Sequence, residues 1–116
     1  MLNNVFNIGI DIEEVDRFAN MPYEQKKSFY EKIFSHEEIK YCMSKSNPYP
    51  HFTARFCAKE ATIKALDNKK LNMLEIQIEM KESKPVLQLP FLHNASISLS
   101  HTKKFATAIV LFPIIK

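Results

Sequence analysis

Glycine is nearly absent from this chain: Gly9 is the only one among 116 residues. A glycine-rich loop that cradles phosphates with bare backbone N–H groups is therefore excluded. Tryptophan is missing. The two cysteines, Cys42 and Cys57, have no metal-ligand spacing and make no disulfide framework, which points to a reducing compartment. No apolar run is long enough to span a bilayer, and no basic-then-apolar leader opens the chain. A cytoplasmic protein is the expectation, with no membrane partner. Neither sign of charge dominates: 16 Lys and Arg stand against 13 Asp and Glu, a net charge of +3. That mild excess suits an anionic partner without selecting one.

What is present is a core. Apolar residues make up 46% of the chain, enough for one globular domain over residues 1–116. Residues 5–12 alternate and are rich in β-formers, so they predict a strand that carries Asp11 near its end. A short helix is expected over 13–18 and a break at Asn20-Met21-Pro22. A second helix is expected to run to about Phe34, with Phe29, Ile33 and Phe34 inward and Lys26, Lys27 and Lys32 outward. Ser35-His36-Glu37-Glu38 reads as a capping box that opens a helix to about Met43. A polar loop over 44–50 leads into a long central helix over 51–66. Period-two patterns then predict strands over 75–80, 86–89 and 95–100, and a β-rich, nearly continuous apolar run predicts the last strand over 105–112. Helices first and strands later argue for an α+β fold with an antiparallel sheet packed on a long central helix.

The central helix holds the unusual chemistry. Phe52, Phe56, Ile63 and Leu66 share one arc at about 100° per residue, with Lys59 inside that arc and Glu60 at its edge. Ala54, Ala58, Ala61 and Ala65 make a small-residue face able to pack close to a sheet. A buried lysine beside a buried carboxylate is costly unless both are paired. An anionic ligand and a metal ion would pair them.

Three segments therefore stand out: Gly9-Ile10-Asp11-Ile12 with Arg17; the helix with Arg55, Lys59, Glu60 and Lys64; and Ser98-Leu99-Ser100-His101-Thr102. Each has an ordinary reading when taken alone. Asp11 suits a helix N-cap. Glu60 and Lys64 suit an i,i+4 surface salt bridge. Ser98 and Ser100 suit the exposed face of a strand, His101 a turn, and Lys26, Lys27 and Lys32 a solvated face. Taken together they suit phosphoryl transfer. Asp11 and Glu60 are two carboxylates able to share a hard divalent cation with water and phosphate oxygens. Arg55, Lys59 and Lys64 balance phosphate charge, and Ser100 and His101 supply hydrogen bonds to the same ligand.

These segments resemble the holo-[acyl-carrier-protein] synthase family, the small 4′-phosphopantetheinyl transferases. The family's strand ending Gly-(Ile/Leu)-Asp-(Ile/Leu/Val) followed by an Arg is similar to Gly9 to Ile12 and Arg17. Its Arg-Phe-Ala-x-Lys-Glu-Ala-x-x-Lys-Ala is similar to Arg55 to Ala65, with Cys57 at an alanine position. Its Ser-(Ile/Leu)-(Ser/Thr)-His-Thr and following Ala-containing strand are similar to Ser98 to Thr102 and Phe105 to Ala108. Glu31 to Ser35 with Glu37 and Glu38 also fits, and the ordered resemblance covers nearly the whole chain.

The resemblance implies transfer of 4′-phosphopantetheine from coenzyme A to a serine of apo acyl carrier protein, releasing adenosine 3′,5′-bisphosphate. It implies Mg²⁺ on Asp11 and Glu60, and Lys64 against the CoA pyrophosphate. Arg55, Lys59, Ser100 and His101 would line the CoA site. Arg17, Lys26, Lys27 and Lys32 would meet the acidic carrier protein. Asp11, Glu60 and Lys64 are the catalytic candidates, with Glu60, acting through a metal-bound water, proposed as the base for the serine hydroxyl. The family fold is an α+β domain assembled as a homotrimer, with sites at the subunit clefts. Two departures concern glycines usual after the central helix and before the hairpin proline, where this chain has 66–72 and Ser83-Lys84-Pro85. Asn68 and Asn72 are expected to take left-handed conformations there. Two other readings remain: a small basic nucleic-acid-binding module, disfavoured by the paired carboxylates, and an inactive homologue that only binds carrier protein.

Overall fold

The computed structural model describes residues 5–91 and 95–114. β1 (Val5–Glu14) opens the chain, two residues longer than its β-rich pattern suggested. Asp11 therefore lies inside a strand and caps no helix. α1 (Asp16–Ala19) is a single turn. The helix expected up to Phe34 is broken into a 3₁₀ turn (Tyr23–Gln25) and α2 (Lys27–Glu31). The break has a local cause: Lys26 sits between them at φ −135° and ψ 36°, outside the helical basin. α3 (His36–Met43) starts from the expected capping box, with Ser35 accepting from the Glu38 N–H and Glu38 accepting from the Ser35 N–H.

α4 (Tyr49–Leu66) is the central helix and begins two residues earlier than its apolar pattern implied, with Pro50 in its first turn. β2 (Gln77–Lys81) and β3 (Lys84–Gln88) form a separate two-stranded hairpin. β4 (Ser96–His101) and β5 (Phe105–Ile114) join β1 in an antiparallel sheet of order β1-β5-β4. Asp11 opposes Ala108, and His101 opposes Ala106. The first strand and the last two thus bring the ends of the chain into one sheet.

α4 is buried almost all round through its first three turns, so it has two working faces rather than one arc. Phe52 and Phe56 enter an aromatic cluster with Phe18, Tyr30 and Phe34. Cys57, Ala58, Ala61 and Ala65 pack on the sheet with Val110, Phe112 and the hairpin's Ile78 and Leu87. Ile63 and Leu66 join this second cluster, not the aromatic one. The alanine face brings helix and strand very close. A Cβ at Gly9 would lie 1.9 Å from the Ala61 carbonyl oxygen and 3.1 Å from the Ala65 nitrogen. The one glycine is needed for that approach and not for a turn.

Turns are made without glycine. Asp67, Glu82 and Ser83 take φ of 50°, 51° and 69°. Left-handed backbone after α4 therefore falls on Asp67, not on Asn68 or Asn72. Asn72 is an extended N-cap whose side chain accepts from the Leu74 N–H. No helix among the described residues is long and apolar enough to cross a membrane.

Candidate active site

Strand β1 alternates its side chains between two faces, and the odd positions turn toward α4. Asp11 meets Lys64 there. The Lys64 ammonium donates to Asp11 Oδ1 at 3.0 Å and to the Ile10 carbonyl at 3.1 Å. The expected Glu60–Lys64 salt bridge is not formed: Lys64 reaches across to the strand instead. Glu60 lies one helical turn from Lys64, so it faces the same edge of β1. It is half-buried and makes no salt bridge among the described residues. Burial, reinforced by the negative charge of Asp11, pushes the Cys57 thiol up to about 12. Cys57 is fully buried, as its place on the helix implied.

The other end of the site lies two to three turns earlier on α4. Arg55 is buried, with 3% exposure, and its guanidinium stacks over the Tyr41 ring at 4.4 Å. One terminal nitrogen donates to the His51 carbonyl at 3.1 Å, while its Nε has no partner. An orphaned donor in a buried guanidinium costs free energy unless an acceptor arrives. Arg55 lines a cavity of about 280 Å³ with Tyr41, His51, His101 and the hairpin residues Ser83 and Pro85. A second cavity of about 460 Å³ is lined by Lys45, Asn47, His51, His101, Thr102 and Lys103. From Arg55 to Glu60 the helix rises about 7.5 Å, so one rigid rod joins the basic cavity to the carboxylates.

Two expected ligand contacts are not brought to these cavities. Lys59 is fully buried and has no route to a ligand. Its ammonium donates to Glu38 Oε1 at 2.8 Å, to the Met73 carbonyl at 2.9 Å and to the Ile76 carbonyl at 2.6 Å. All three protons are used inside the protein. The companion it needed is Glu38 from α3, not a ligand phosphate. Ser100 is exposed on the edge strand β4 and lines neither cavity. His101 does line both.

Sequence reasoning missed Glu38 as a partner and His51 as a lining residue. Glu38 was legible only as a capping residue, since its pairing with Lys59 spans 21 positions. The signal for His51 was its place one helical turn before Arg55. The basic side chains proposed to meet a protein partner are exposed. Arg17 pairs with Glu13 and lies over the Phe56 ring at 4.6 Å. Lys27 pairs with Glu24 at 3.2 Å, and Lys26 and Lys32 are solvated.

Among the described residues no three His, Cys, Asp or Glu side chains converge to hold a metal ion. The two carboxylates fit a hard cation that takes the rest of its shell from water and a phosphate-bearing substrate.

An antiparallel sheet on a buried helix that carries a carboxylate, a lysine and a cationic cavity defines the class. Residues 7–110 match the family model described as the 4′-phosphopantetheinyl transferase superfamily, and the chain belongs to that superfamily. Holo-[acyl-carrier-protein] synthase of Chlamydia trachomatis is 37% identical over 117 residues, which is 92% of this chain and 98% of that protein. The protein of the same name from Thermodesulfovibrio yellowstonii is 37% identical over 107 residues, covering 90% and 95%. Among solved structures, the Bacillus anthracis holo-(acyl-carrier-protein) synthase in complex with CoA (3′,5′-ADP) superposes with TM-score 0.82 and 30% identity. That match covers 95% of this chain and 97% of the other. The Helicobacter pylori holo-[acyl-carrier-protein] synthase in complex with coenzyme A gives 0.78 and 32%, covering 89% and 96%.

Proposed function

We propose that this chain is a holo-[acyl-carrier-protein] synthase, acting as one domain over residues 1–116. It transfers 4′-phosphopantetheine from coenzyme A to a serine of apo acyl carrier protein and releases adenosine 3′,5′-bisphosphate. The observation that carries this reading is the single helix joining Glu60 and Lys64 to the buried guanidinium of Arg55, whose Nε has no partner. CoA has the matching shape: a pyrophosphate for one end and a phosphorylated nucleoside for the other.

Asp11 and Glu60 are the residues that would hold Mg²⁺. The ion would neutralise charge on the pyrophosphate as the phosphorus is transferred. Lys64 is more than half exposed and held by a single carboxylate and one carbonyl, so it can turn to a phosphate oxygen. Its role is to stabilise charge on the departing bisphosphate. Glu60 is the base that, through a water, takes the serine proton as the serine oxygen attacks and the pyrophosphate P–O bond breaks. Arg55 and His101 bind the nucleotide end. Arg17, Lys26, Lys27 and Lys32 dock the acidic carrier protein by charge. The protein acts in the cytoplasm, where fatty-acid synthesis consumes holo carrier protein.

The reading is tested by incubating the protein with CoA, Mg²⁺ and apo carrier protein and following the carrier by mass spectrometry. The carrier gains the phosphopantetheine mass, the gain stops on chelation, and the KM for carrier rises with salt. Glu60→Gln retains its melting curve and loses turnover by at least about a hundredfold. Near-normal turnover in that variant, or no mass gain with the unaltered protein, overturns the assignment.

Assembly as a homotrimer is supported by the outer sheet face. Phe6, Ile8, Ile10 and Ile12 of β1 stand exposed beside Phe105 and Ile109 of β5, with Ile12 reaching 66% exposure. A strip of this kind on a sheet face marks an interface. Sedimentation at micromolar concentration should give three chains per particle; a monomer there rules the trimer out.

A further inference from the structure

His51 and His101 come from different elements, the first turn of α4 and the end of β4, yet their rings meet edge to face. The centroids are 5.1 Å apart with an interplanar angle of 67°. The pair forms the shared wall of both cavities. The groups around it are cationic or neutral. Arg55 faces it from α4, Lys45 from the loop after α3, Lys103 from the β4–β5 turn and Tyr41 from α3. No carboxylate lines either cavity among the described residues.

Such a wall has an anion to receive, and the reading of the site as a CoA site says which. CoA carries a pyrophosphate and one phosphate monoester. The pyrophosphate is claimed by Lys64 and the carboxylates. β1 and β4 flank β5, which puts Asp11 and His101 two strand spacings, about 10 Å, apart across the sheet and two residues apart along it. The monoester on the ribose is the charge left for the second position. We propose that His51 is a specificity-determining residue that, together with His101, clamps the 3′-phosphate of CoA and separates CoA from its 3′-dephospho form. The proposal rests on the CoA reading and adds a residue outside the Arg55-to-Ala65 pattern.

Titration supports this geometry. Burial lowers the His51 imidazole to about 4, and the neighbouring His101, Arg55 and Lys45 add to the effect. His51 is therefore neutral in the free protein at pH 7. A doubly charged phosphate within hydrogen-bonding reach favours its protonated form and raises that value. A group whose pKa rises on binding strengthens the complex below the raised value and loses that strength as pH climbs through it. The clamp is thus tighter toward pH 6 and weaker toward pH 8. Below about pH 6 the phosphate itself takes a proton, which sets the acid end of the window.

The experiment is calorimetric titration of the protein with CoA and with 3′-dephospho-CoA, each with Mg²⁺, at pH 6 and pH 8. The unaltered protein should bind CoA about tenfold more tightly at pH 6 than at pH 8, the size of one charge-assisted hydrogen bond. His51→Phe keeps a ring against His101 and should weaken CoA about tenfold at pH 6 while dephospho-CoA is unmoved. His51→Gln keeps a polar edge but cannot protonate, so its CoA affinity should lose the acid strengthening and keep its pH 8 value. If His51→Phe fails to melt like the unaltered protein, the glutamine variant decides. Equal weakening of both ligands, or unchanged CoA affinity and pH dependence in the variants, overturns the role of His51. Failure of the unaltered protein to bind either ligand overturns the CoA reading beneath it.

Discussion

Lys59 and Lys64 lie five residues apart on α4, and each ion-pairs with a carboxylate from another element. Lys59 and Glu38 show 0% and 2% exposure, whereas Lys64 and Asp11 show 54% and 16%. Around the first pair every remaining hydrogen-bonding group is also used. Lys59 holds the carbonyls of Met73 and Ile76, and Glu38 accepts from the N–H groups of Ser35 and Ile78. That network ties α3, α4 and the start of the β2–β3 hairpin, whose far end supplies Ser83 and Pro85 to the cavity. Burial pulls the Lys59 ammonium below its ordinary value, and the Glu38 carboxylate opposes it. Around the second pair water competes freely. The same residue type therefore does two jobs on one helix: a fixed strut where partners are complete, and an exchangeable contact where they are not.

The largest expected effect comes from breaking the strut. Lys59→Ala leaves Glu38 buried without its counter-charge, which should cost about 3–5 kcal/mol of stability. Chemical denaturation measures it, and a loss under about 1 kcal/mol would show that the pair is not a strut. Replacing both partners, Glu38→Leu with Lys59→Met, should recover much of that loss. Next comes the exchangeable pair. Lys64→Ala should lower kcat/KM for carrier modification by about a hundredfold. Its stability should fall by no more than about 1 kcal/mol, because a partly exposed pair contributes little. A large drop in stability with a small drop in rate would invert the comparison, and paired melting and turnover measurements on both variants decide it.

Much of the scaffold was legible because it is local. Alternation marked β1 and β4, a β-rich apolar run marked β5, and the Ser35–Glu38 capping box marked the start of α3. What was not legible is non-local or depends on a competing partner. Nothing within α4 says that Lys59 will find Glu38, so a lysine in an apolar arc was assigned to the ligand. Nothing says that Lys64 will prefer Asp11 to the nearer Glu60. Ser100 and His101 adjoin in sequence and share a motif, yet only His101 lines the cavities. The aromatic segment before α3 carried a helical pattern that the backbone at Lys26 interrupts.

The contact at Gly9 has a consequence for how the site is assembled. With only 1.9 Å between a would-be Cβ and the Ala61 carbonyl, β1 and α4 cannot slide or rotate past one another. Asp11 sits two residues beyond that contact, and Glu60 is adjacent to Ala61. The separation of the two backbone segments that carry the carboxylates is therefore set by backbone against backbone, before any substrate is present. The conformational entropy lost in bringing two like charges together belongs to folding rather than to each turnover. If Asp11 and Glu60 act as proposed, each cycle starts with their backbone supports already in place, and the motions left are those of side chains such as Lys64.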